Sequence, residues 1–260
     1  MISKIAFLYL SYFAWGCLVL LPVVKLQEVG QGFYRFIGLT CVSLQTIAVG
    51  VAISMGQAFE PVYRSAAWTL GLSLFFTLAF TIALRVRVRW FLWSCFGLAV
   101  FTGLWVILYY PWEGQRDHVG LALHAVSSAL LLGSVTLAML LGHNYLVITK
   151  LSITPLKRYS GTYILLTVWM ALQVGWTFWR HAQAGPDGRL PEALMNEIIF
   201  VLFRSAWGLL APLGLSYWIW ETVKMKSTQS ATGILYAAMI CTMMGEGMGL
   251  YLTLRTGWLF

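Results

Sequence analysis

Long apolar runs, each closed by charged or turn residues, recur along the whole chain. Eight can be drawn, at about 5–24, 36–55, 66–84, 90–110, 119–141, 161–179, 198–220 and 231–253. Each is long enough for a helix to cross a hydrocarbon layer about 30 Å thick, at about 1.5 Å of rise per residue. The alternating ten-residue segments of a transmembrane barrel are absent. The pattern therefore predicts an all-α fold: a polytopic transmembrane helical bundle of about eight spans, forming one integral membrane domain over 1–260. The sixth run is the shortest. Nothing in the first four runs repeats in the last four, so a transporter built by duplication has no support in the pattern.

Composition points the same way. Hydrophobic residues make up 60% of the chain and charged residues 10%, with a mean hydropathy of +0.78. Soluble domains carry about 25% charged residues, so a water-soluble core is excluded. Cys17, Cys41, Cys95 and Cys241 all fall inside apolar runs and form neither C-x-x-C nor C-x-x-C-H. They read as small buried hydrophobes. Lys4 precedes an apolar run to Val24 with no small-residue cleavage site after it, which reads as a retained first span.

Loop charge sets an orientation. With eight spans, one side holds Lys4, Arg64, Arg116, Arg180, Arg189 and Arg255. The other holds Lys25, Arg35, Arg85, Arg87, Arg89, Lys150, Lys157, Arg158, Lys224 and Lys226. The more basic side is expected to face the cytoplasm, leaving both termini outside, as in a bacterial inner membrane. Tyr109, Tyr110, Trp112, Trp176, Trp179 and Trp258 then fall at outward ends, and Trp90, Trp93, Tyr217, Trp218 and Trp220 at inward ends. Such rings suit the headgroup level. The net charge of +8 follows from this loop asymmetry and an anionic lipid surface, so no nucleic-acid partner is implied. In the longest connection, Gly185-Pro186-Asp187-Gly188 signals a turn, and Pro191 opens a short helix to Asn196. His143 to Arg158 continues the fifth helix past the interface and breaks before Pro155.

Four spans carry strongly polar groups. Helical rise places Glu246 and Arg204 about 10 Å below the outer ends of their spans, Gln173 about 9 Å and His124 about 8 Å. Glu, Arg, Gln and His thus share one layer. An ionisable group at membrane depth costs roughly 2.5–3.5 kcal/mol on insertion scales, so it needs a partner or a task. Glu246 shares a face with Thr242, Gly249 and Thr253, and Gly245 with Gly249 forms a small-xxx-small pair. Arg204 lies above Gly208 and Ala211, and His124 over Ser128. Gln173 lines up with Trp169 and Trp176. Two readings stay open. In one, Arg204 and Glu246 tie two helices together, with Gln173 and His124 as hydrogen-bonding glue. In the other, the layer lines a cavity, where Glu246 and His124 exchange protons and Arg204, Gln173, Trp169 and Trp176 form a quinone pocket.

Known catalytic patterns are absent: no G-x-S-x-G, H-E-x-x-H, P-loop or dinucleotide fingerprint occurs. A b-type haem is disfavoured, because His124 and His143 lie 19 residues apart on one helix, about 30 Å, and cannot share an iron. Only His118 with His181 stays geometrically open for haem. Adding Asp117 and Glu113 to that pair gives ligand chemistry without a metal-binding spacing.

Gly245-Glu246, followed by Gly249 and an aromatic-rich tail, resembles the final helix of polytopic quinol-oxidising membrane anchors of the polysulfide and dimethyl sulfoxide reductase type. The resemblance covers one helix. It implies a membrane subunit of an electron-transfer complex, quinol as substrate, Glu246 as a proton-transfer residue, and iron–sulfur or cytochrome partner subunits on the outer side. The alternatives are a structural or assembly subunit of a larger membrane complex, favoured by short loops and aromatic content, and a small-solute or proton-coupled transporter.

Overall fold

A computed structural model describes residues 1–58, 61–85, 89–109, 118–147, 152–184 and 196–260. Every regular element among them is helical. Helix α1 (Ile2–Leu20) ends in a 3₁₀ turn, Leu21–Val23, and is followed by α2 (Leu26–Ala58), α3 (Pro61–Ala83) and α4 (Arg89–Tyr109). Then come α5 (His118–Val147), α6 (Thr154–Ala184), α7 (Ile198–Ser205), a π-helical turn Ala206–Leu210, α8 (Ala211–Lys224) and α9 (Thr228–Thr256).

Seven helical segments among the described residues are long and apolar enough to cross a membrane: Ile2–Val23, Leu26–Gly56, Arg64–Ala83, Arg89–Leu108, Val119–Val147, Ile198–Lys224 and Thr228–Thr256. The remaining long helix, α6, has 31 residues and carries more polar groups, with Lys157, Arg158 and Arg180 near its ends. It begins well before the expected 161, with Pro155 in its first turn, where a missing N–H costs nothing. Large apolar side chains face outward on many helices, including Trp68 (78% exposed), Phe101 (63%) and Leu172 (63%). Soluble monomers rarely leave such faces open, and they suit a lipid environment. The chain is an all-α integral membrane protein.

The helices group into two compact units, Met1–His118 and Val119–Phe260. In the first unit, α2 packs on α1 and α3, and α4 on α3 and α1. Interior polar groups tie it together. Trp15 Nε1 donates to the Val100 carbonyl at 2.9 Å, Gln45 Nε2 to Ser73 Oγ at 3.2 Å, and Ser73 Oγ to the Ala99 carbonyl at 3.1 Å. Close packing sets the glycines here: a Cβ on Gly103 would sit 2.7 Å from Trp15 Cδ1.

The second unit packs α9 along the α7–α8 rod, and α6 on α8. Gly208 and Gly245 meet backbone to backbone: a Cβ at Gly245 would run into Gly208 Cα. The π turn widens the rod here, with the Ala211 N–H reaching back five residues to the Ala206 carbonyl. Such bulges relieve a break in the helical ladder. Pro212, the residue after Ala211, supplies that break by having no N–H to give the Gly208 carbonyl.

Candidate functional site

The freed Gly208 carbonyl is the first piece of the polar layer. Arg204, one turn earlier, donates to it from Nη1 at 3.4 Å. The guanidinium lies in a slot left by three glycines. A Cβ at Gly208 would sit 2.7 Å from Nη1, one at Gly245 3.0 Å from Nη1, and one at Gly249 2.9 Å from Nε. The small residues read from sequence as a strip for helix approach therefore have two tasks. Gly208 and Gly245 bring backbones together, and all three make room for a charged group.

Glu246 completes the pair. Its Oε1 lies 2.8 Å from Arg204 Nη2, and both side chains are 1% exposed. The approach is angled, so Nη2 and Oε1 gain Coulomb attraction without an aligned hydrogen bond. The other oxygen, Oε2, accepts a short hydrogen bond from Ser128 on α5. Thr242, one turn earlier on α9, meets Tyr163 of α6 at 3.0 Å between hydroxyls. The stripe Thr242, Glu246, Gly249, Thr253 is buried along its whole length.

His124 lies one turn before Ser128 and is 6% exposed. Its ring is within electrostatic reach of Glu246 and Arg204, with Gln173 and the Phe260 backbone beside it. Gln173, half-buried on α6, donates from Nε2 to Ser127 Oγ at 3.2 Å. Trp169 Nε1 donates to the same oxygen at 3.0 Å, and its ring is 43% exposed. The four helices thus bring Glu246, Arg204, His124 and Gln173 into one layer, and Trp169 joins it at the surface. Trp176 does not join. It is 58% exposed and stacks on Trp179, ring centroids 4.8 Å apart at 33°.

Three contributors were not singled out from sequence. Ser127 differs from Ser128 by about 100° around the helix, so adjacent hydroxyls serve α6 and α9 separately. Tyr163 carried no signal beyond a phenol in an apolar run. Phe260 arrives because Gly257, at φ +75°, caps α9 in the left-handed region and turns the chain back. The Phe260 N–H then donates to Thr253 Oγ1 at 3.3 Å, and its carbonyl lies against Gly249. Its ring packs on Val201 and Leu252 and meets Phe178 edge-on at 5.6 Å. At the rim, Tyr251 donates to Glu197 at 3.2 Å, and Arg255 Nε lies 3.5 Å from the same carboxylate.

Besides Arg204 Nη2 and Glu246 Oε1, which have each other, the described part of this layer holds other buried atoms without an aligned hydrogen bond: His124 Nδ1, Gln173 Oε1 and Arg204 Nε. Leaving such groups unpaired costs roughly 1–3 kcal/mol each, more for charged ones, so their concentration here calls for an explanation.

The described residues contain no cluster of three His, Cys, Asp or Glu that could hold a metal. Glu113 and Asp117 lie outside the described residues, as do the side chains of His118 and His181 and the segment 185–195 with its expected turn and short helix. Comparison with protein-family models, with curated proteins and with solved structures gives no match.

Proposed function

We propose that the chain is an integral membrane subunit of an electron-transfer complex, in a bacterial inner membrane, and that its second unit binds a quinol head group where the buried layer meets lipid at Trp169 and Gln173. The observation carrying this reading is the polar cluster of His124 and Gln173, adjoining side chains whose Nδ1 and Oε1 lack a well-aligned hydrogen bond, beside a half-exposed tryptophan. Quinol hydroxyls need hydrogen-bond acceptors, and an amide oxygen and a neutral imidazole nitrogen both accept. Oxidation releases two protons and two electrons. His124 takes one proton and the other leaves to water at the outer face; Glu246 stabilises the resulting imidazolium, and Arg204 holds that carboxylate in place. The electrons pass to a metal-bearing redox subunit on the outer side.

A direct test uses the full chain in lipid nanodiscs and a short-chain quinone that quenches tryptophan fluorescence. Saturable quenching is expected, lost largely in Trp169→Phe. Gln173→Ala is expected to weaken it about tenfold, the worth of one or two hydrogen bonds.

The full burial of Arg204 and Glu246 and the Gly208–Gly245 approach favour a second reading, in which the layer only ties helices together. Under it, quenching is unsaturable and Gln173→Ala changes nothing.

A further inference from the structure

The first unit holds a cavity of about 560 Å³ at the end of its bundle where α2 and α4 begin and α3 ends. That volume falls within the range of small-molecule sites, roughly 300–1,000 Å³. Its walls divide by chemistry. Lys25, Arg89 and Gln31 lead the polar part, and Leu84, Leu92 and Trp93 the apolar part. Among the described residues, two cations and no carboxylate line it.

Local structure keeps the space open. Gly30, at φ +83° and ψ 161°, breaks the helical path of α2 and separates its first turn from the remainder. A side chain there would be strained, so glycine holds the bend. Tyr34, one turn after the bend, donates to the Val24 carbonyl at 2.6 Å and contacts the Leu21 carbonyl at 3.2 Å. This pins the end of the 3₁₀ turn against α2. Glu28 is turned toward the Lys25 backbone N–H at 3.1 Å. Trp90 and Trp93, 75% and 45% exposed, mark the same end as lying at headgroup level.

We propose that this cavity binds the phosphate of an anionic phospholipid, with Lys25 and Arg89 meeting the charge and the leucines and Trp93 receiving the lipid's apolar stem. Basic pockets between helices at the cytoplasmic surface commonly hold such headgroups. Apolar walls beside the cations favour a lipid over free phosphate, and cations without a lining carboxylate favour an anionic headgroup over a zwitterionic one.

The test measures thermal unfolding of the full chain in a neutral detergent. It compares added phosphatidylglycerol, phosphatidylcholine and inorganic phosphate. Phosphatidylglycerol alone is expected to raise the midpoint, saturably and less at high salt. Lys25→Gln and Arg89→Gln are each expected to weaken its apparent affinity about fivefold, with helicity unchanged by circular dichroism. Lys224→Gln, at a cation outside the cavity, is expected to bind as the unaltered chain does. Equal stabilisation of the double variant Lys25→Gln/Arg89→Gln overturns the proposal. Full stabilisation by inorganic phosphate overturns the lipid assignment.

Discussion

Arg204→Ala is expected to remove most of the protein from the membrane fraction. The substitution leaves the Glu246 carboxylate 1% exposed, with its aligned hydrogen bond from Ser128 and no cation. Breaking a buried ion pair from one side costs about 3–5 kcal/mol, because the remaining charge is neither solvated nor matched. Folded proteins are stable by only about 5–15 kcal/mol, so a loss of that size reads out as abundance. The glycine slot adds to the damage: Gly208, Gly245 and Gly249 have no side chains to refill the space. Glu246→Gln alone fails for the mirror-image reason, since it strands the guanidinium. Abundance on immunoblots should recover in the double variant Arg204→Met/Glu246→Gln, which removes both charges and nearly keeps volume. Buried pairs replaced by neutral groups of similar size are often tolerated or stabilising. Normal abundance of Arg204→Ala would contradict the ion pair as placed.

That rescued double variant is also the second large prediction. Because it folds, it isolates chemistry from stability. With methionine and an amide in place of the ion pair, no carboxylate faces an imidazolium at His124, so proton transfer from quinol loses its electrostatic support. Loss of a general base costs about 10²–10⁴-fold; His124 itself remains here and Arg204's opposing charge goes with the carboxylate, so quinol turnover by the assembled complex is expected to fall by less, about tenfold. Turnover within a few-fold of the unaltered complex would leave the pair as a helix tie and nothing more.

Much of the fold and of the layer is legible in the order of residues alone. Membrane-length apolar runs dictate helices because bilayer thickness demands a minimum length and an open strand cannot satisfy its backbone there. Glu246, Arg204, His124 and Gln173 are found together because a charged or strongly polar group at membrane depth has few permitted places, and helical rise converts position into depth. What stays hidden depends on rotation and tail path. Trp176 shares the Gln173 face by spacing, yet three residues is about 60° short of a full turn, and its ring goes outward to Trp179. Gly249 reads as a helix-approach residue, and only the guanidinium beside it shows what its missing Cβ makes room for. The placement of Phe260 depends on one left-handed residue, Gly257, turning the chain back.

The proposed quinol site lies between α5 and α6, beside His124 and Gln173. A photoreactive quinone, activated in native membranes and mapped by peptide sequencing, tests it most directly. Labels are expected on the segments around Ser127 and Trp169–Gln173, competed by unmodified quinol and lost in Gln173→Ala. Labels elsewhere on the chain, or labels that quinol does not displace, would contradict it.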